Sequence, residues 1–496
     1  MERLACLTAS ASLRTMFEMT RHEDTAHHDR HRALLIGLAL FLCYSYFYYL
    51  GGNWNVNSRH AQILALAEDH TLAIDSYYRS TGDEAYYRGH YYSDKLIGPS
   101  LLAVPVYLLV RPLAALTTDS LGATRLRALQ ITNVIANALP SALLGALLYL
   151  FLAELGIAAG LRAWLALAYG LGTLAFPYST AFFGHQLGAV CAAGTFMLLW
   201  RMKREWTVKR ALTAGALLGL GAASDFTTLL IACFLGLYAL WVASGRGGGE
   251  RVNLGRLLAR LAPLVAVAAI PVALQLGANW SSFGSPLVFP HVHHVQASFR
   301  ARHTSGLLGV HLPQLFALYH LTVGSWRGLF YGSPVLLLAL PGFFLLGKTR
   351  RAEAIFIAAA WLGVLLMSAG YENWTAGTAY GPRYQIAAIP LLLIALAPAA
   401  ARWPFAFKAL AVISIAFMFV VTAHAPFYIP EDLRDPLGVA IGGFSRGRLD
   451  QPNLGLALGL SGLASLLPLI VAEAGVLFAL SRTWPRNKQE SKPRRS

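Results

Sequence analysis

Runs of about 20 apolar residues recur along almost the whole chain, and no other feature limits its fold as strongly. A helix of that length spans the roughly 30 Å hydrocarbon core of a bilayer, where backbone polar groups must be satisfied within the segment. The pattern therefore predicts an all-α polytopic membrane protein with about 12 to 13 transmembrane helices. We place full spans near 32–51, 128–150, 163–178, 185–201, 211–224, 226–244, 261–279, 328–347, 354–370, 384–401, 409–427 and 455–481.

The composition agrees with a membrane protein and leaves no room for a large soluble domain. Of the 496 residues, 56% are hydrophobic and 13% are charged, whereas soluble proteins carry about 25% charged residues. The apolar run 32–51 ends in aromatic residues and glycines rather than in a small-residue cleavage site. We therefore expect an uncleaved first span instead of a signal peptide.

The charges are distributed unevenly between the loops, and this asymmetry predicts the topology. Lys and Arg exceed the acids to give a net charge of +16, and they concentrate in short loops, as expected for segments that face the cytoplasm. We expect a bilayer partner and no nucleic acid. The domains are a cytoplasmic tail 1–31, a transmembrane domain 32–481 and a basic cytoplasmic tail 482–496. The opposite, external side should carry the loops 52–97, 178–184, 280–327, 371–383 and 428–454.

Two segments leave alternatives open. Residues 98–116 are long enough to cross, but their three prolines disfavour one regular helix. We expect this segment to be re-entrant or to lie on the outer interface, and a thirteenth crossing remains an alternative. Asp225 interrupts a long apolar stretch between two of the spans. It indicates a tight hairpin, the alternative being a polar break in one long buried helix.

The first external loop, 52–97, concentrates ionisable residues in a chain that has few of them. Carboxylates beside cations at a membrane surface suit an anionic substrate whose reaction needs a base. The alternative is that the acids only keep the loop solvated. The loop holds six acids and four cations: Glu68, Asp69, Asp75, Asp83, Glu84, Asp94, Arg59, Arg79, Arg88 and Lys95.

A short motif closes this loop. The run Tyr91-Tyr92-Ser93-Asp94-Lys95, followed by Gly98-Pro99, resembles the Y-x-D-K-P-P element of lipid-linked-sugar glycosyltransferases of the GT-C superfamily. The most similar groups are the protein mannosyltransferases and the bacterial aminoarabinose transferases. The resemblance implies a polyprenyl-phosphate-linked sugar as donor substrate, with no other cofactor expected. It also implies that Lys95 meets the donor phosphate, a task suited to a compact ammonium charge.

A second element supports the resemblance. Gly381-Pro382-Arg383-Tyr384, followed by Pro390, resembles the G-x-R-Y…P element of the same transferases. Arg383, with Tyr384, would bind the donor phosphate through a bidentate guanidinium. The alternative is an Arg-Tyr pair that only anchors the helix at the membrane interface.

The chain departs from the family where a catalytic acid is expected. The family carries an acid just after the first span, but this sequence has Asn53, Asn55 and Asn57, followed by Ser58 and Arg59. An amide cannot act as a general base. We therefore predict that the base is one of the loop carboxylates, in the order Asp75, Asp83, Asp94 and Glu84.

Three further residues are candidate contacts for donor or acceptor: Arg59, His185 and His294. His185 lies at the mouth of the short loop 178–184, and a capping or core histidine is the alternative. His291, His293 and His294 do not have the spacing of a helical ligand pair, and no acid is near them in sequence. We therefore predict no metal site.

With these features, the resemblance implies an inverting glycosyltransferase, expected in a bacterial plasma membrane with its active site facing outward. It would move a sugar from a polyprenyl-phosphate carrier to a glycan, lipid or protein acceptor of the envelope at the outer membrane–water interface. The rival interpretations are a transporter or flippase of a lipid-linked or anionic substrate, and a non-catalytic envelope-assembly protein. Transporters place ionisable residues near mid-membrane, whereas here they crowd one face.

Overall fold

A computed structural model describes residues 27–245 and 252–484. Most of the predicted N-terminal tail, part of the basic loop after the sixth span and residues 485–496 lie outside these ranges. Helices dominate the described chain. Its one named sheet is a two-stranded antiparallel hairpin, β1 (Glu84–Tyr87) and β2 (His90–Ser93).

Eight helices in the described residues are long and apolar enough to cross a membrane, which confirms the predicted all-α polytopic fold. They are Gly98–Ala115, Leu121–Leu155, Phe226–Ala243, Leu254–Phe283, Arg351–Gly370, Arg383–Arg402, Pro404–Ala423 and Gly462–Arg482. Other α-helices are 27–46, Trp54–Leu64, Ala159–Gly172, Ala175–Ser179, Gly184–Met202, Val208–Ala222, Ala297–Thr304, Leu315–Thr322, Leu329–Gly332, Ala339–Thr349, Pro436–Ser445 and Leu454–Ala457.

The segment 98–116 differs from its expected form. It folds as one regular helix, Gly98–Ala115, with Pro105 and Pro112 inside it. Both prolines lie on the exposed face of this helix, while Tyr107 and its neighbours on the other face are buried. Packing of that face holds the helix together despite the hydrogen bonds that the prolines cannot donate. The expectation that they would prevent a regular helix is wrong.

The predicted hairpin at Asp225 is confirmed. One helix ends at Ala222 and the next begins at Phe226, so the alternative of one long helix is wrong. Asp225 caps the second helix, because its Oδ1 accepts hydrogen bonds from the backbone N (2.9 Å) and the Oγ1 (2.6 Å) of Thr227. The backbone N of Gly98 donates to the carbonyl of Ala223 at 2.9 Å. The end of the first loop is thereby joined to this turn.

Helix burial is graded across the bundle. The helix Arg383–Arg402 is the most enclosed of the eight, with 83% of its apolar window buried, whereas Leu254–Phe283 is only 6% buried. The helix Leu254–Phe283 packs closely on the helix Val208–Ala222. A Cβ at Gly215 or Gly219 of the second helix would collide with the backbone of the first. The helix Arg383–Arg402, called the central helix below, therefore begins at Arg383 among many other elements.

The two large loops 52–97 and 280–327 meet on the β-hairpin. The backbone N of Val295 donates to the carbonyl of Glu84 at 3.1 Å, which attaches loop 280–327 to β1. On the other side, Ser58 Oγ donates to the carbonyl of Asp83 at 2.6 Å. The hairpin is therefore held between the helix Trp54–Leu64 and the second loop, and the residues that flank its two strands, Asp83 and Asp94, line one cavity.

Candidate active site

A cavity of about 720 Å³ lies where the loops 52–97 and 280–327 meet the ends of the helices. Its wall combines the first loop, the turn before Phe226, loop 280–327 and the start of the central helix. Its polar lining includes Asn53, Asn55, Arg59, Asp83, Asp94, Lys95, His185, Asp225, His291, Arg302, His303, Tyr371, Asn373, Arg383, Tyr384 and Glu431.

Lys95 is held between two carboxylates. Its Nζ lies 2.7 Å from Asp83 Oδ2 and 2.9 Å from Asp94 Oδ1. The hairpin register explains the arrangement, because Glu84 pairs with Ser93 and the flanking residues Asp83 and Asp94 emerge opposite each other. All three side chains are almost completely enclosed. The ammonium therefore neutralises one charge of a buried acidic pair.

Histidines from the second outer loop complete this cluster. Ligand atoms of Asp83, Asp94 and His294 lie within 4.8 Å of one another, and His291 Nε2 lies 3.8 Å from Asp94 Oδ2. Burial lowers the pKa of His294 and, more strongly, that of His291, so both imidazoles are neutral and able to bind a cation. Asp83, Asp94 and His294 could together hold a divalent ion if the Lys95 ammonium moved away.

Sequence reasoning placed no acid near these histidines, because the acids come from a loop about 200 residues earlier. Only the pairing of β1 with the second loop brings them together. Glu84, on the same hairpin, is also enclosed. Burial, with added repulsion from Asp94 and Asp83, raises the pKa of its carboxyl to about 7.

Two guanidinium groups line another part of the cavity. Arg59 is 2% exposed; burial lowers its pKa to about 10, against attraction from Asp225 and Asp94, so it stays charged at neutral pH. Its Nε donates to Asn55 Oδ1 at 3.4 Å, and its Nη1 has no hydrogen-bond partner among the described residues. The Nε of Arg383 is likewise buried without a partner in the described residues. Both groups retain unused donors.

His185 and Asp225 are in direct contact on the cavity wall. His185 Nδ1 lies 3.0 Å from Asp225 Oδ2, and the two side chains are 3% and 12% exposed. The contact lacks the alignment of a linear hydrogen bond, and Nε2 of the ring is buried without a partner in the described structure. Sequence reasoning noted Asp225 only as a helix break. The predicted topology already placed it on the outer side with His185, which was the available signal.

Asp75, ranked first among the predicted bases, lies elsewhere. Its carboxylate contacts His90 Nδ1 at 2.7 Å and accepts from the backbone N of Tyr91 at 2.7 Å. It lines a second, more open cavity with Tyr78 and Arg125. The structure therefore separates Asp75 from the residues that it brings together, namely Arg59, Asp83, Asp94, Lys95, His185, His294, Arg383 and Tyr384.

No protein-family model matches the sequence, and no curated protein matches it either. Among solved structures, the chain is similar to the apo form of the oligosaccharyltransferase of Archaeoglobus fulgidus, with 13% sequence identity and a TM-score of 0.40. The match covers 86% of this chain and 57% of the archaeal one. The chain thus spans little more than half the length of that protein, and so distant a likeness says nothing about the cavity residues.

Proposed function

We propose that the protein is a membrane glycosyltransferase that takes a sugar from a polyprenyl-phosphate carrier. The observation that carries the proposal is the cavity itself. It brings two enclosed guanidinium groups with unused donors together with an acidic cluster, at the ends of apolar helices. An anionic lipid headgroup that carries a polar sugar matches this combination of charge, polarity and apolar surroundings.

The donor phosphate would bind to Arg59 and Arg383. Guanidinium donors match phosphate oxygens in a bidentate fork, and such charge-assisted hydrogen bonds are strong. Lys95 was expected in this role from the motif, and that prediction stays untested. Its ammonium already contacts two carboxylates, so the freer guanidiniums are the better phosphate ligands.

The lipid tail would lie along the apolar part of the cavity. Leu229, Leu230 and Cys233 from the helix Phe226–Ala243 line it, together with Met367 from Arg351–Gly370. These side chains continue into two helices that are apolar enough to span the membrane. A polyprenyl chain entering between them would leave its phosphate at the outer helix ends.

The sugar would contact the cluster of Asp83, Lys95 and Asp94. Buried carboxylates accept hydrogen bonds from sugar hydroxyls, and the ammonium prevents the two acids from repelling each other. An acceptor oxygen would attack the anomeric carbon while the lipid phosphate leaves, with inversion. Pre-placed cations stabilise the charge that develops on the leaving phosphate.

The rival function, transport of the same lipid-linked substrate, uses the same cavity but leaves the sugar–phosphate bond intact. Purified protein in lipid vesicles would be incubated with radiolabelled polyprenyl-phosphate sugars and an extract of envelope acceptors. Mild acid cleaves the sugar from polyprenyl phosphate. Transfer of label to a product that is stable to this treatment supports the transferase. Movement of intact donor between leaflets without any transfer, in the same vesicles, supports the flippase instead.

A further inference from the structure

The pair His185–Asp225 has the arrangement of a base and the group that orients it. Asp225 Oδ2 lies beside His185 Nδ1 at 3.0 Å. The opposite ring nitrogen, Nε2, is enclosed and has no partner in residues 27–245 and 252–484. A carboxylate close to one ring nitrogen favours, through its negative charge, the tautomer that is protonated on that nitrogen, and the other nitrogen can then accept a proton.

Local structure holds both partners in place. His185 is the second residue of the helix Gly184–Met202, which begins directly after Phe183. Gly184 is required there, since a Cβ at this position would lie 2.5 Å from the carbonyl of Ser224 and 2.8 Å from Nη2 of Arg59. Asp225 is fixed by its capping bonds to Thr227. The helix start and the hairpin turn therefore touch beside a proposed phosphate ligand.

We propose that His185 is the general base of the transfer, that Asp225 is its positioning residue, and that the acceptor group is a hydroxyl. This inference rests on the proposed function and departs from the expectation of a first-loop base. As the acceptor O–H bond breaks, its proton moves to His185 Nε2. The oxygen forms a bond to the anomeric carbon, and the bond from that carbon to the phosphate oxygen breaks. The lipid phosphate leaves with the bonding electrons.

The predicted first-loop bases are less suited to this step, and one of them, Glu84, does not line this cavity. Asp83 and Asp94 already direct oxygens at the Lys95 ammonium, and Asp75 lines another cavity. His185 Nε2 has no such competing contact. The charged and titratable groups that face His185 are Asp225, Arg59, Arg383, Tyr178 and Tyr384.

The chain contains a matched control pair. His424 Nδ1 lies 3.0 Å from Asp450 Oδ2, the same contact as in His185–Asp225. Neither His424 nor Asp450 lines the cavity of about 720 Å³. Substitutions at this pair therefore test whether losing any outer His–Asp contact is enough to lower activity.

The test measures transfer from radiolabelled polyprenyl-phosphate sugars by the full-length protein in lipid nanodiscs, across a range of pH. His185→Gln should lower kcat by about 100- to 10,000-fold with the donor KM little changed. Asp225→Asn, which can still cap its helix, should lower kcat by up to about 10,000-fold, the loss known for an aspartate that orients a catalytic histidine. His424→Gln and Asp450→Asn should behave as wild type. The acidic limb of the wild-type pH profile should shift in Asp225→Asn.

A second measurement does not need turnover. Nuclear magnetic resonance of isotope-labelled histidine in the full-length protein should show His185 protonated at Nδ1 and not at Nε2, with this preference lost in Asp225→Asn. Full activity of folded His185→Gln, or a ring protonated at Nε2, overturns the assignment while leaving the transferase intact. A wild-type protein that binds donor but transfers no sugar to any hydroxyl acceptor overturns the proposed function and the base with it.

Discussion

Among the described residues, the two most enclosed arginines should respond differently to replacement by glutamine: one should lose donor binding and the other should lose stability. Arg59 and Arg327 are 2% and 1% exposed. Arg327 donates to the backbone carbonyls of Ala379, Gly377 and Glu431, so it serves the fold. Arg59 makes one long bond, at 3.4 Å, and lines the cavity, whereas Arg327 does not line it. Each guanidinium keeps one buried nitrogen without a partner in the described residues. This contrast separates a structural guanidinium from one available to a ligand.

The expected magnitudes follow from these contacts. A hydrogen bond to a charged group contributes about 1.5–3 kcal/mol, so Arg59→Gln should weaken donor use by about 10- to 150-fold. Its free energy of unfolding should change by less than about 1 kcal/mol, since little protein bonding is lost. Arg327→Gln leaves up to three carbonyls without their donor. At about 1–3 kcal/mol for each buried group left unsatisfied, it should be destabilised by roughly 3 kcal/mol or more.

The assay compares both variants for donor KM, kcat and thermal unfolding in the same detergent. Arg383→Gln should follow Arg59→Gln, and Arg59→Lys should recover only part of the loss because it keeps the charge but not the fork. If Arg59→Gln and Arg383→Gln both use donor as wild type does, the phosphate does not bind at these guanidiniums. If Arg59→Gln unfolds as readily as Arg327→Gln, the reasoning about its unused donor is wrong.

Three further perturbations have defined outcomes. Lys95→Met leaves Asp83 and Asp94 buried without their cation and should lower the free energy of unfolding by about 3–5 kcal/mol. The control Lys209→Met changes an exposed side chain and should not lower it. Equal melting temperatures for the two variants would contradict this. Folding raises the pKa of Glu84 from 4.5 to about 7, so the stabilisation that the protonated carboxyl gives to the folded state is fully present below pH 4.5 and is lost as pH rises through 7. Glu84→Gln should flatten the dependence of stability on pH across that window. An unchanged dependence would count against this. A cysteine at Gly89 should react with an impermeant reagent from outside intact cells; reaction only after permeabilisation would reverse the topology.

The existence of the spanning helices could be predicted from sequence, but several of their limits could not. Length and apolar composition suffice to identify a membrane span. The helix Leu254–Phe283 extends beyond the predicted span 261–279 at both ends. Asn253 caps its start by accepting from the backbone N of Arg256 at 2.9 Å, and Gly284 ends it with a φ of 74°. Polar capping residues do not extend an apolar run, so the apolar pattern could not show where this helix begins and ends.

The candidate site was predictable where its residues are neighbours in sequence. Asp94 and Lys95 are adjacent, and the motif identified them together. The contact of His185 with Asp225 joins residues 40 positions apart through the packing of two helix ends, which no local pattern encodes. The difference between Asp75 and Asp83 is also tertiary, because the two acids leave the loop toward different cavities.

The asparagine that follows the first span explains why the base must lie elsewhere. Asn53 Nδ2 donates to the carbonyls of Thr378 (2.9 Å) and Phe427 (3.0 Å), while its Oδ1 accepts from the backbone N of Asn55 and Val56. A carboxylate could accept the last two bonds but would face both carbonyls with an unpaired oxygen. Because the amide joins three outer segments, Asn53→Asp should destabilise the protein by about 1–3 kcal/mol for each carbonyl left unsatisfied. This position is therefore committed to structure, and proton transfer requires a group such as His185 whose acceptor atom is still free.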